Sequence, residues 1–332
     1  MKRTIKAILT FDYELFLGSN SGRLYETLLK PTYSLLDLLE VHSAHAIFFV
    51  DASYLLKIKE ANSTDFELLS EQICKMVSMG HDVGLHIHPH WIDAKYNGSV
   101  WDLSNKSKYC LKDMPKETVT NYFNSCFKVL SDIIYKVKPE YRIKAFRAGG
   151  WSVQPFDLIY RNFVDLGIIL DFSVLPGLAL NEGVYGHYYD YRNAVLNKWA
   201  WRFQQDPILE FENGEFVEVP MSTYKISSLL FLLNKLAFSS SKKSISGVGS
   251  SRSSFKTKMA KLLRSQKIAA IDDLSTSCFN AMFNAIKVQN SSVITFVGHP
   301  KGFSEDTLTI LEMILRRCKT ISVKNVLEEL EM

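Results

Sequence analysis

Apolar residues fall in short blocks along this chain, separated by longer stretches in which they recur every three or four positions. The first block, Ile5-Lys6-Ala7-Ile8-Leu9-Thr10-Phe11, predicts a strand. Residues 30–41, where Leu35, Leu36, Leu38 and Leu39 follow Lys30-Pro31, predict a helix. The same reading gives strands at 46–50, 82–88, 144–147, 168–172, 216–220, 293–298 and 320–323. It gives helices at 65–79, 116–136, 155–166, 272–288 and 305–317, and a last helix at the end. Strands that alternate with helices pair in parallel and are covered on both faces. About seven such units close more naturally into a barrel than they stay open, so the expected fold is α/β, a distorted (β/α) barrel of about seven parallel strands.

The polar residues gain meaning from that frame. Asp12, His86, Arg147, Asp171 and His299 each stand at the C-terminal end of a predicted strand, the edge where parallel α/β folds bind ligands. Two segments break the alternation. Residues 173–215 lack a clear period and are rich in Gly, Tyr and Asn, which predicts an elaborated loop or hairpin over the site. Residues 239–258 carry nine serines with Lys and Gly and predict a mobile insert. No internal repeat is visible, so residues 1–332 are read as a single domain.

Composition narrows the class. The chain has 332 residues, 47% of them hydrophobic, enough for a large core. The net charge of +4 comes from residues 235–267, which hold Lys and Arg and no acid; the remainder is slightly acidic. A nucleic-acid face across the domain is therefore not expected. The five cysteines show no CxxC spacing, which argues against both a disulfide framework and a thiolate zinc site and for buried structural thiols. The first apolar run is too short for a signal peptide, and no run approaches the roughly 20 residues of a membrane helix, so a soluble cytoplasmic protein is expected.

The densest chemistry lies in Gly80-His81-Asp82-Val83-Gly84-Leu85-His86-Ile87-His88-Pro89-His90-Trp91. Alternate residues of a strand share a face, and Pro89 predicts a turn, so His86 and His90 are expected to approach one ion. A catalytic divalent site commonly has three protein ligands. Asp12-Tyr13-Glu14 supplies two carboxylates on one face, one to ligate and one to take a proton from an activated water.

These segments together resemble the NodB-type polysaccharide deacetylases, carbohydrate esterase family four. The resemblance is carried in order by Thr10-Phe11-Asp12-Tyr13-Glu14, Ile47-Phe48-Phe49-Val50, Gly80 to His86 with His90, Phe146-Arg147-Ala148-Gly149-Gly150-Trp151, Asp171-Phe172-Ser173 and Gly298-His299-Pro300. It implies a seven-stranded distorted barrel with Asp12 as general base and with His86 and His90 as ligands of a divalent metal. Zinc is the first choice for that metal, with Co2+, Ni2+ or Fe2+ as alternatives. It further implies that Arg147 holds Asp12 ionised, that Asp171 belongs to a supporting polar shell, and that His299 donates a proton to the leaving amine. The chain departs from the family where a second, metal-binding Asp would follow the base: Tyr13 stands there, and Glu14 is its expected substitute. His88 has no fixed family role and is open as a third ligand, a supporting residue or a sugar contact. Trp91 and Trp151, which directly follow site residues, are the expected sugar-stacking surfaces.

The expected activity is removal of acetyl from an N-acetylated sugar or surface-polysaccharide precursor, with ester cleavage left open. Three other readings stand beside it. His86-Ile87-His88 matches the HxH of barrel amidohydrolases, although two strands precede it here. Two histidines and a carboxylate also suit an Fe(II) oxygenase, whose scaffold is mostly β. A silent carbohydrate-binding member would keep the fold and lose the metal through Tyr13. The basic stretch 242–267 is expected to be a solvated loop, with phosphates or an anionic membrane as the alternative contact.

Overall fold

The computed structural model describes residues 5–180, 188–227, 266–272, 274–288 and 292–331. The predicted insert at 239–258 and nearly all of the basic stretch lie outside them. Nine strands form one sheet: β1 (Ile5–Tyr13), β2 (Ile47–Asp51), β3 (Asp82–Ile87), β4 (Ala145–Ala148), β5 (Leu170–Asp171), β6 (Trp201–Phe203), β7 (Phe216–Glu218), β8 (Val293–Gly298) and β9 (Cys318–Thr320). Their order is β6-β7-β5-β4-β3-β2-β1-β8, with β9 beside the start of β1. The seven strands from β7 to β8 run parallel, and β6 alone is antiparallel.

The eight helices described are α1 (Lys30–Val41), α2 (Ala52–Ala61), α3 (Ser63–Ser78), α4 (Lys116–Ile134), α5 (Tyr160–Leu166), α6 (Thr276–Val288), α7 (Glu305–Leu315) and α8 (Val323–Glu329). Every residue of β2 and β8 is buried, as strands covered on both faces must be. Local chemistry sets several helix ends. Asn62 accepts the Asp65 amide at the start of α3, Ser304 caps α7, and Gly167 closes α5 in the left-handed conformation. Helix α2 was not expected from the sequence. It begins directly after β2, and its apolar residues Tyr54, Leu55 and Ile58 pack inward.

The sheet curls into a half-barrel, and extended chain rather than a full strand spans the seam between β7 and β8. Val219 N–H donates to Asp171 O (2.8 Å) and Met221 N–H to Val174 O (3.1 Å). Ser222 N–H then reaches Thr295 O in β8 at 3.2 Å, and Ala269 and Ile271 continue along that edge through Val297. Register decides what lies at the mouth. Asp51, His86 and Arg147 are aligned across β2, β3 and β4, and Phe11 is level with Gly298, which brings Asp12 beside His299. Among the described residues no helix is long and apolar enough to cross a membrane, and none of the five cysteines is in a disulfide.

Candidate active site

Strand alternation at the end of β1 turns Asp12 and Glu14 to one side and Tyr13 to the other. The Tyr13 hydroxyl donates to Gln72 Oε1 of α3 at 2.8 Å, so the phenol belongs to the outer layer and not to the site. Asp12 is buried between two cations. Arg147 Nη1 donates to Asp12 Oδ1, and His299 Nε2 lies 3.3 Å from Oδ2. Burial opposes ionisation of Asp12, but the charges of Arg147 and His299 outweigh it and hold the carboxyl well below its usual range.

Arg147 is itself fully buried, and its other donors are occupied. Nη2 reaches Thr10 Oγ1 at 2.8 Å, Nε reaches Phe172 O at 3.1 Å, and the guanidinium lies over Phe49 and Trp151 at 4.1 and 4.8 Å. His299 is held from behind by Asp272, whose Oδ2 stands 2.5 Å from Nδ1 and whose Oδ1 accepts the His299 amide at 2.7 Å. Burial alone would lower the pKa of His299. The two flanking carboxylates reverse that and raise it to about 10, so the ring is protonated at neutral pH.

The second carboxylate faces the histidines. Glu14 Oε2 lies 2.8 Å from His88 Nε2 and 3.3 Å from His86 Nε2, and all three side chains are buried. These atoms converge without aligning as hydrogen bonds, for Glu14 Oε2 has no hydrogen-bond partner. His86 Nδ1 lies 2.7 Å from Arg147 O; a carbonyl only accepts, so in the neutral ring Nε2 presents its lone pair toward Glu14. Two imidazole nitrogens and a carboxylate oxygen around one point are a donor set suited to zinc and its neighbours. Among the described residues, two groups have ligand atoms within 4.8 Å of one another: Glu14, His86 and His88, and Asp12, Glu14 and His299.

The expected ligand pair is thus brought together only in part. His86 meets Glu14, but His88 takes the neighbouring position and His90 is in neither group. The cause is the turn Pro89–Asp93, a 3-10 helix that ends the strand's alternation at His88. His90 stacks on Tyr109 with ring centroids 4.9 Å apart; burial and the nearby His88 depress its pKa strongly, so the ring is neutral. Asp171 also stands apart. It is in register with Phe146, whose ring packs on Phe123 and Phe163, whereas Phe172 turns toward Phe49. It supports the site at one remove. Ser173 Oγ donates to Asp171 Oδ1 (2.6 Å) and accepts the Ala148 amide (2.8 Å), which secures the chain beyond Arg147.

The tryptophans separate likewise. Trp91 is fully buried, donates to Asp51 Oδ2 at 2.6 Å and stacks on Tyr54, so it offers no surface to a sugar. Trp151 is half-buried and covers Arg147. Three contributors went unread in the sequence. Asp272 and Asp51 are acids with no motif around them, and Lys301 follows His299-Pro300 closely enough that the same turn could have pointed to it.

With this geometry in view, comparison with solved structures is informative about the fold. The chain is similar to a protein assigned as a polysaccharide deacetylase from Mycobacterium smegmatis, at 13% identity, over 99% of this chain and 91% of that one, with a TM-score of 0.51. A 4-α-glucanotransferase from Thermococcus litoralis matches at 12% identity over 98% of this chain and 40% of its own, with a TM-score of 0.49. A polysaccharide deacetylase from Bacillus cereus matches at 14% identity, over 96% and 93%, with a TM-score of 0.40. No protein-family model and no curated protein matches the sequence. At such identities the likeness is one of architecture: the chain has the fold of the polysaccharide deacetylases, as its ordered motifs imply.

Proposed function

We propose that this protein is a metal-dependent hydrolase that removes acetyl from an N-acetylated sugar or surface-polysaccharide precursor. The observation that carries the reading is the pairing of a potential ion site, Glu14 with His86 and His88, with a second carboxylate, Asp12, held between Arg147 and His299. Glu14, His86 and His88 would hold a divalent ion, zinc by donor chemistry, which when bound would supply Lewis-acid polarisation of an acyl carbonyl and acidify a water. The protein's own residues do the rest. Asp12, ionised by its two cations, accepts the proton of the attacking water. His299, protonated between Asp12 and Asp272, gives its proton to the leaving amine. The guanidinium of Arg147 keeps Asp12 in place through both proton transfers. Trp151 is the aromatic surface this reading offers to a sugar ring.

The test is acetate release from a panel of nucleotide-linked and lipid-linked N-acetylhexosamines, with His86→Ala as control. The expected result is release that depends on added zinc and is lost in the variant. Release undiminished in His86→Ala would remove this site, and silence on every substrate would favour a carbohydrate-binding role.

A further inference from the structure

The two carboxylates at the end of β1 have separate counter-ions. Asp12 is served by Arg147 and His299, whereas the ammonium of Lys301 lies 2.6 Å from Glu14 Oε1. The same ammonium donates to Leu15 O at 3.0 Å and stands 5.8 Å from the centre of the Phe16 ring. One side chain, 13% exposed, therefore touches three successive residues of the segment that carries Glu14. Lys301 belongs to the turn Pro300–Gly302 that directly follows His299, so a single turn delivers a cation to each acid.

The consequence lies in how Glu14 is presented. A carboxylate can offer a cation one oxygen or both. Here Oε1 is engaged by Lys301, and Oε2 alone faces the imidazoles of His86 and His88. We infer that Lys301 is a positioning residue, which presents Glu14 to a divalent ion as a one-oxygen carboxylate ligand. The role rests on the metal-site reading proposed above. It also explains how Glu14 replaces the acid that the resemblance places at position 13: a carboxylate on a longer stem, one residue further on, needs an external tether to hold one orientation. Partners of this kind orient a ligand and raise its affinity for the ion.

The test uses the whole chain with Lys301→Met, which removes the donor, and Lys301→Gln, which keeps a donor without the charge and guards against misfolding. Zinc affinity is measured by chelator competition, and coordination by the visible absorption of the Co2+-loaded protein. Lys301→Met is expected to bind zinc about 10–100-fold more weakly, with an altered Co2+ spectrum. Lys301→Gln is expected to keep the wild-type spectrum at reduced affinity. If both variants match the wild type in affinity and spectrum, the positioning role is overturned while the metal site stands. If the wild type takes up neither ion, the metal reading fails, and this role with it.

Discussion

His86 Nδ1 lies 2.7 Å from the main-chain oxygen of Arg147 on the adjacent strand. Arg147 therefore serves both halves of the site: its carbonyl selects the tautomer of the His86 ring, and its guanidinium holds the Asp12 carboxylate. The parallel register of β3 and β4 makes this coupling obligatory, since His86 and Arg147 are directly paired.

Arg147→Lys keeps the carbonyl and a positive charge but loses the planar fork that reaches Asp12, Thr10 and Phe172 at once. The expected outcome is a loss of about 1–3 kcal/mol in unfolding free energy, because buried acceptors that the guanidinium serves are left without a donor. Denaturant titration checks the stability. Deacetylase turnover should fall on the order of 10²-fold as Asp12 loses its orientation.

Gly149 packs the chain beyond Arg147 directly against Ile87 and His88. A Cβ there would stand 2.3 Å from Ile87 O and 2.8 Å from His88 Nδ1, so one of the two must shift. Gly149→Ala is expected to cost about 1–3 kcal/mol and to weaken zinc binding by moving His88 away from Glu14. Chemical denaturation and chelator competition read the two effects separately.

His299 keeps its proton because Asp272 and Asp12 outweigh the opposing effect of burial. Replacing Asp272 by Asn removes one of those carboxylates, so the proton leaves at lower pH. The basic limb of the kcat/KM profile should then move to lower pH by about 1 unit or more. An unmoved limb would show that His299 is not the group titrating there.

His81 lies beneath the sheet, far from the mouth, with both ring nitrogens buried and without hydrogen-bond partners. Burial, aided by His45, lowers its pKa from 6.5 to about 4. Between those values the unfolded chain binds the proton and the folded protein does not. The associated stability is therefore complete above about pH 6.5 and is lost as pH falls toward 4. The loss is on the order of 1–3 kcal/mol. His81→Phe, packed in the same way on Phe48, should flatten this dependence in denaturation curves at pH 7 and pH 5.

The central parallel strands were legible because strands such as β2 and β8 are buried throughout and so read as short apolar blocks, whereas the antiparallel β6 lies within the segment 173–215 that shows no clear period. Helix α2 was not, because it follows β2 without a break and its apolar residues merge with the strand's signal. Asp12, Glu14, His86, Arg147 and His299 announced themselves at strand ends, where side-chain direction follows from a period of two. That rule lapses once the strand stops.

Sequence alone determined the parallel strands, most of the helices and the strand-end positions of Asp12, His86, Arg147 and His299, since these follow from local periodicity. Tertiary structure decided that His88 rather than His90 stands beside Glu14, that Asp272 backs His299, and that Lys301 holds the far oxygen of Glu14. Those choices depend on how the turn Pro89–Asp93 bends the chain and on contacts between residues far apart in sequence, which no local pattern encodes.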